Sequence, residues 1–293
     1  MSGRAARAGS PAISGRTRVV AVLGYPVEHS RSPAMHNAAF EALGLDYRYV
    51  AFTVPPPALR DAVRGLRALG MVGANVTIPL KERIIPFLDD LSADARIIGA
   101  VNTIVRRNGR LIGHNTDAGG FLRSLREDTG VTVKGGRFLV VGAGGAARAV
   151  AAGLAVSGAR GVVIVNRSVH RARGMVRKLR RLFPAVEWMG RPLDELPDAR
   201  TVRAVIQCTS VGMRPDDPSP IPVQWLDPRV AVYDLIYHTR TALVRKAHAV
   251  GAPCAGGLGM LVHQGARAFA LWTGRRPPIE VMRRALIRSL AKE

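Results

Sequence analysis

Short apolar runs that alternate with helix-like segments predict an α/β protein of two domains. The first series runs from Arg18 to about Leu80, and its alternation of strand and helix is the mark of a sheet with parallel crossovers. A second series starts at Phe138, where a strand-like run meets a glycine-rich turn and then a helix. A chain of 293 residues, 47% of them apolar, is long enough to bury two cores.

In the first series, residues 18–23 (RVVAVL) read as a buried strand stopped at Gly24, and residues 25–33 as a turn-rich loop. Ser32 is the expected N-cap and Pro33 the first helical residue of a helix closed by Gly44. Residues 47–52 read as a strand, 58–69 as a helix closed by Gly70, and 74–78 as a strand. Pro79 opens a further helix, with Lys81 in its first turn. Residues 127–136 are a plausible hinge. In the second series, 138–141 (FLVV), 162–165, 202–208 and 230–235 read as strands. The helix after the glycine-rich turn reaches about Ser157 and stops at Gly158, and residues 260–272 and 278–290 form the last two helices.

Composition excludes several classes. The formal charge is +22, with 43 Lys plus Arg against 21 Asp plus Glu. One cluster holds Arg167, Arg171, Arg173, Arg177, Lys178, Arg180 and Arg181; the other holds Arg275, Arg276, Arg283, Arg284 and Arg288. Both have helical spacing, where solvated faces are the default, and few aromatics are interleaved, so a nucleic-acid partner is not expected. A gel shift with nonspecific DNA is the discriminating test of that alternative. Two cysteines exclude a disulfide scaffold, and the seven histidines lack zinc-ligand spacing, so no metal is expected. No apolar run approaches the ~18–20 residues of a membrane span. Residues 1–17 carry Arg4, Arg7 and Arg16, no acid and no apolar h-region. They are expected to be a disordered extension, although a transit peptide shares the composition. A cytoplasmic location is the default expectation.

The turn after residues 138–141 is Gly142-Ala143-Gly144-Gly145-Ala146, a variant of the dinucleotide-binding fingerprint with Ala147 at its third small position. Glycines there permit a tight turn and bring backbone N–H groups and a helix N-terminus close to a pyrophosphate. An NAD enzyme places an acid about 20 residues on, to hold the ribose 2′-hydroxyl. Here the next strand ends in Asn166-Arg167-Ser168, with Arg171 one turn later. Guanidinium groups bind a phosphate that a carboxylate would repel, so the expected cofactor is NADP(H).

Polar groups also gather in the first series. Asn75 and Thr77 share one strand face, because side chains alternate with period two. Lys81 at a helix start opposes the dipole and needs a reason. Asn102 and Thr103 follow an apolar run, and Asn115-Thr116-Asp117 precedes a helix that Asp117 could simply cap.

Together these segments resemble the shikimate dehydrogenase family. The resemblance rests on Gly24-Tyr25-Pro26, His29-Ser30-Arg31-Ser32-Pro33-Ala34-Met35-His36-Asn37, Asn75-Val76-Thr77-Ile78-Pro79-Leu80-Lys81 and Gly99-Ala100-Val101-Asn102-Thr103. It continues through Asn115-Thr116-Asp117, the glycine-rich turn, Asn166-Arg167-Ser168 and residues 257–264 (GLGMLVHQ), in family order. Two departures stand out. Ala118 follows Asn-Thr-Asp where glycine is common, and Tyr237 is followed by His238 rather than proline.

The resemblance implies reversible reduction of 3-dehydroshikimate to shikimate by NADPH. It implies an N-terminal α/β substrate domain (18–117 plus 258–293, the C-terminal helices returning to it) and a Rossmann-like NADP-binding domain (118–257), with ligands in the cleft. Lys81 and Asp117 match the catalytic pair. Ser30, Ser32 and Tyr237 match the carboxylate-binding positions, and Thr77, Asn102 and Gln264 match groups on the ring hydroxyls. The cofactor set is Gly142, Ala143, Gly144, Gly145, Ala146, Asn166, Arg167, Ser168 and Arg171, with Leu235 and Gly257 near the nicotinamide. A quinate/shikimate or aminoshikimate dehydrogenase and a silent NADP-binding protein are the alternatives. The small-molecule substrate is the only partner implied; monomer and homodimer both remain open.

Overall fold

The computed structural model describes residues 12–214 and 216–291. Of the expected extension over 1–17, residues 1–11 lie outside the described residues. The chain divides into two compact units. One takes in the chain up to Arg96, Val101–Thr116 and everything from Gly265 on; the other comprises Ile97–Ala100 and Asp117–Gln264.

The first unit contains β1 (Arg18–Gly24), α1 (Ser32–Ala42), β2 (Tyr47–Thr53), α2 (Leu59–Ala68), β3 (Gly73–Val76), β4 (Asp90–Leu91), most of α3 (Ala93–Ile98), β5 (Thr103–Arg107) and β6 (Arg110–His114). Its six strands are ordered β2-β1-β3-β5-β6-β4. β1 is parallel to β2 and β3, but β5 runs antiparallel to both β3 and β6, so the sheet is mixed rather than parallel throughout. The β5–β6 reversal falls at Asn108 (φ 50°) and Gly109 (φ 78°), both left-handed, the conformation a two-residue hairpin of matching twist requires. That Asn-Gly pair is a hairpin signal that the strand–helix reading passes over.

The helix expected after Pro79 does not form. Turns occupy residues 78–84, and a short 3-10 segment follows at Ile85–Phe87. Pro86 explains this: it has no N–H to donate to the Glu82 carbonyl, and its ring disfavours helical continuation. Leu80 and Ile84 remain fully buried in the core with Leu23, Val76, Ile104 and Leu111. A second apolar layer is aromatic. Phe40 stacks on Phe269 and packs against Tyr47, while His36 lies between Tyr49 and Trp272.

The second unit carries α4 (Asp117–Thr129), β7 (Arg137–Val141), α5 (Gly145–Val156), β8 (Gly161–Asn166), α6 (Val169–Leu182), β9 (Glu187–Pro192), β10 (Ala204–Gln207), β11 (Ala231–Asp234), α7 (Ala242–Ala249) and β12 (Cys254–Gly256). All its pairings are parallel, in the order β12-β11-β10-β7-β8-β9. Strand order reverses on the two sides of β7, the topological switch point at which doubly wound sheets bind ligands. Both faces are covered. Phe138 and Val140 of β7 enter one core with Phe121, Leu154 and Tyr233, whereas Leu139 and Val141 enter the other with Val205 and Val232.

The chain ends in α8 (Leu258–Thr273) and α9 (Ile279–Leu290), and α9 packs on α1 in the first unit. The changeover between units falls after Thr116 and again between Gln264 and Gly265, inside α8. A continuous helix gives sequence reading no punctuation at that point.

Candidate active site

In the first unit, the loop between β1 and α1 delivers two hydroxyls. Glu28 pins this loop: it accepts hydrogen bonds from the Val27 N–H (2.9 Å) and the Thr53 hydroxyl (2.6 Å). The Thr53 bond, first among several, lowers the Glu28 carboxyl below its usual range. Ser30 Oγ accepts from the Ser32 N–H at 3.4 Å. Ser32 is not the N-cap. Arg31 takes that place and Ser32 is the first residue of α1, with Pro33 next. The buried Ser32 hydroxyl is therefore not spent on capping.

Thr77 leaves the end of β3, half-buried, and its N–H donates to Leu23 O at 2.9 Å. Gly24 makes room for it, because a Cβ there would stand 2.4 Å from Thr77 Cγ2. Lys81 sits half-buried in the turn that follows. Its carbonyl accepts the Val101 N–H at 2.8 Å, which ties this turn to the residue before Asn102. With no helix after Pro79, the expected clash of Lys81 with a helix dipole does not arise. Asn102 is 2% exposed. Its amide donates to Thr116 Oγ1 (2.9 Å) and its Oδ1 accepts the Thr116 N–H (2.7 Å). The Asn102 carbonyl accepts from Asn75 Nδ2 (2.9 Å), which also donates to Thr103 Oγ1 (3.0 Å). The structure thus joins Asn75, Asn102, Thr103 and Thr116 in one buried network and adds Tyr49, whose hydroxyl donates to Asn75 Oδ1 at 2.7 Å.

The second unit holds Asp117, Tyr237 and Gln264. Asp117, buried, is the first residue of α4. Gln264 lies on α8, and its amide donates to Leu261 O at 2.9 Å. Gly120 allows α4 to approach this point, since a Cβ there would meet the Gln264 backbone nitrogen at 2.7 Å. His263 beside it is engaged by Glu127 (2.8 Å). Tyr237, half-buried, follows β11 and makes an edge contact with His238.

At the carboxyl end of β7, Gly142 adopts φ 116°, and its missing Cβ leaves space against Thr209. Gly144 precedes α5 with nothing within 4 Å of its Cβ position, and no side chain of the described residues caps Gly145-Ala146 and the rest of the first turn. This is a cradle of free space and backbone donors of the kind a pyrophosphate fits. Ala143 is buried beside it and Ala147 packs in the core, which leaves α5 close to the sheet. β8 ends at Asn166, whose amide donates to Ser168 O (3.0 Å). Arg167, Ser168 and Arg171 are exposed there, with the Arg171 N–H on Ser168 O (3.1 Å). The donor chemistry suits a 2′-phosphate. Beyond β11, Leu235 donates its N–H to Gln207 O (3.0 Å), and Gly257 accepts a close approach: a Cβ would fall 2.1 Å from Leu235 O.

Sequence reading misses the groups that shape these loops. Asp234, fully buried at the end of β11, accepts from the Ile236 N–H (3.0 Å) and the Thr241 hydroxyl (2.7 Å). Burial raises its carboxyl to about 6. Gln207 bonds Thr209 and Val211 and so holds the loop after β10. An acid or amide closing an apolar strand was the available signal.

Known proteins resemble this chain over almost its full length. Residues 22–104 match the shikimate dehydrogenase substrate binding domain, residues 124–212 the shikimate/quinate 5-dehydrogenase model, and residues 257–287 the shikimate 5′-dehydrogenase C-terminal domain. The chain is 46% identical over 285 residues to a shikimate dehydrogenase (NADP(+)) of Geobacter metallireducens, covering 96% of this chain and 99% of that one. A shikimate dehydrogenase crystallised with NADP+ superimposes with a TM-score of 0.90 at 43% identity, covering 96% of this chain and 98% of that one. The Thermus thermophilus enzyme with NADP(H) and shikimate gives a TM-score of 0.83 at 41% identity, covering 93% and 99%. The chain belongs to the shikimate dehydrogenase family.

Proposed function

We propose that this chain catalyses the reversible, NADPH-dependent reduction of 3-dehydroshikimate to shikimate, a step toward chorismate and the aromatic amino acids. One observation carries the reading. Ser30, Ser32, Thr77, Lys81, Asn102 and Asp117 all stand at their motif positions in a chain nearly half identical, over almost its full length, to NADP-dependent shikimate dehydrogenases.

Ser30, Ser32 and Tyr237 are assigned to the substrate carboxylate. Hydroxyl donors suit an anion without leaving a buried counter-charge when the site is empty. Thr77, Asn102 and Gln264 take the ring hydroxyls. The rigid bonds of Asn102 to Thr116 hold it ready, so little ordering entropy is lost on binding. NADPH, when bound, supplies the hydride. Gly142, Ala143, Gly144, Gly145 and Ala146 form its pyrophosphate cradle; Asn166, Arg167, Ser168 and Arg171 face its extra phosphate, and Leu235 and Gly257 shape the nicotinamide end. Lys81, as an ammonium, stabilises negative charge growing on the carbonyl oxygen and delivers the proton to that oxygen. In the oxidative direction the same amine receives it. Asp117 is the acidic member of this proton-handling pair.

The test is a steady-state panel of shikimate, quinate and aminoshikimate, each with NADP and NAD. Shikimate with NADP should give the highest kcat/KM; a preference for quinate or aminoshikimate, or for NAD, would overturn the assignment. A cytoplasmic setting is proposed with it, which the two unpaired cysteines, Cys208 and Cys254, suit. Fractionation tests that, and light scattering decides between homodimer and monomer.

A further inference from the structure

The second unit buries one carboxyl group that the proposed chemistry does not use. Asp234, fully buried at the end of β11, stands at the root of the loop that carries Tyr237. Its Oδ1 accepts the Ile236 N–H (3.0 Å) and its Oδ2 accepts the Thr241 hydroxyl (2.7 Å), so one side chain grips the loop on both sides of Tyr237. Thr241 Oγ1 also accepts the Val244 N–H at 3.3 Å as the N-cap of α7, and its single proton goes to Asp234. An N–H and an O–H therefore both point at Asp234. A carboxylate accepts both, whereas a carboxylic acid would bring a proton of its own that needs an acceptor.

Ile236 is fixed by more than Asp234. Its carbonyl accepts the Gly257 N–H (3.0 Å), and its side chain is buried. Tyr237 is the next residue, and beyond it the His238 ring meets the Met213 carbonyl at 3.2 Å. The titratable groups that act on Asp234 among the described residues are Cys208, after β10, and His238 on the loop itself. Burial keeps Cys208 a neutral thiol, and His238 favours the ionised carboxyl. Burial of Asp234 outweighs this and raises its carboxyl to about 6. A charge held against its own burial needs a reason, because an asparagine would fill the same space without it. We infer that Asp234 is a positioning residue: by holding Ile236 and Thr241, its carboxylate orients Tyr237 between them toward the substrate carboxylate. The inference deepens the proposed function and rests on Tyr237 holding that carboxylate.

The test is the KM for shikimate in Asp234→Asn divided by that of the wild type, followed from pH 8 to pH 5. The asparagine amide donates where the carboxylate accepts, so the Thr241 bond is lost. The ratio should be about three to ten at pH 8 and fall toward one at pH 5, where the wild type is itself protonated. The KM for NADP and kcat at pH 8 should change far less. A carboxyl group that only held the fold would shift Tm and leave this ratio independent of pH. A ratio that stays constant, at one or above it, would overturn the role of Asp234 and leave Tyr237 untouched. Tyr237→Phe with a wild-type KM would overturn the assignment of Tyr237 and this inference with it. Where Tyr237→Phe does raise the KM, adding Asp234→Asn should raise it little more, and full additivity would overturn the coupling. Should Asp234→Asn fail to fold, Thr241→Val and Thr241→Ser take its place. Valine should give the same falling ratio and serine, which keeps the hydroxyl, the wild-type KM; a serine variant as impaired as the valine one would sink the inference.

Discussion

The residues assigned above to the substrate carboxylate and hydroxyls in the first unit and those assigned to the cofactor phosphate in the second are built in opposite ways. Asn75 and Asn102 are buried and cross-linked through their side-chain amides, and Ser32 is buried with them. Arg167 and Arg171 are exposed at the end of β8, with reach and charge instead of fixed geometry. A small neutral-hydroxyl ring offers few handles, so its discrimination needs preorganised partners whose mismatch is costly. A phosphate carries enough charge to be caught by flexible guanidinium groups.

The contrast can be broken most sharply at Lys81. Lys81→Ala should lower kcat by about 10²–10⁴-fold, the usual worth of a general acid, while circular dichroism stays unchanged. Wild-type turnover would remove Lys81 from the chemistry. Next comes the exposed side. Arg167→Ala combined with Arg171→Ala should raise the KM for NADP by about 10–100-fold and leave that for NAD nearly unaltered, because only the extra phosphate is lost as a partner. Ionic strength separates the two regions without mutation. Between low and moderate salt the KM for NADP should rise several-fold more than the KM for shikimate, since solvent-exposed charges are screened over about 10 Å and buried hydroxyls are not.

Packing supplies a further check within the second unit. Gly257→Ala would push a methyl against the Leu235 carbonyl, and overpacking of this kind costs about 1–3 kcal/mol, read as a lower Tm. The smallest effect concerns Asp234. Its folded carboxyl is raised to about 6 from an ordinary 3.8 by burial. Between those values the folded chain keeps a proton that the unfolded chain has released, so this group favours folding at low pH. That contribution is lost as pH rises through about 6. Relative to Asp234→Asn, the wild type should therefore lose stability from pH 4 to pH 7, by on the order of 1–3 kcal/mol; a parallel pair of Tm profiles would exclude it.

Much of the architecture could be read along the chain, because strand and helix periods, glycine stops and proline starts are local signals. The runs at 18–23, 138–141 and 162–165 all emerge as strands, and the glycine-rich turn emerges between β7 and α5. Local reading failed where a neighbour further along decides. Pro86 cancels the helix begun at Pro79, and Asn108-Gly109 adds an antiparallel hairpin, β5–β6, that the reading of the parallel β1–β3 series did not include. Ser32 shows the same limit within the site. Its type and neighbours spell an N-cap, but Arg31 takes that place and Ser32 is the first residue of the helix, so its hydroxyl does not cap it.

Residue types and their order, taken with the family resemblance they carry, were therefore enough to propose the chemistry: a lysine, an acid, amides and hydroxyls in family order, with guanidiniums where a ribose-binding acid would stand. Contacts between distant segments were not inferable that way. Tyr49, Asn75 and Asn102 are separated by 26 and 27 residues, yet they hydrogen-bond in one buried network. Nothing local encodes which partner a buried donor will find. That is settled only when strands pair and the low-dielectric interior makes every unmatched polar group costly.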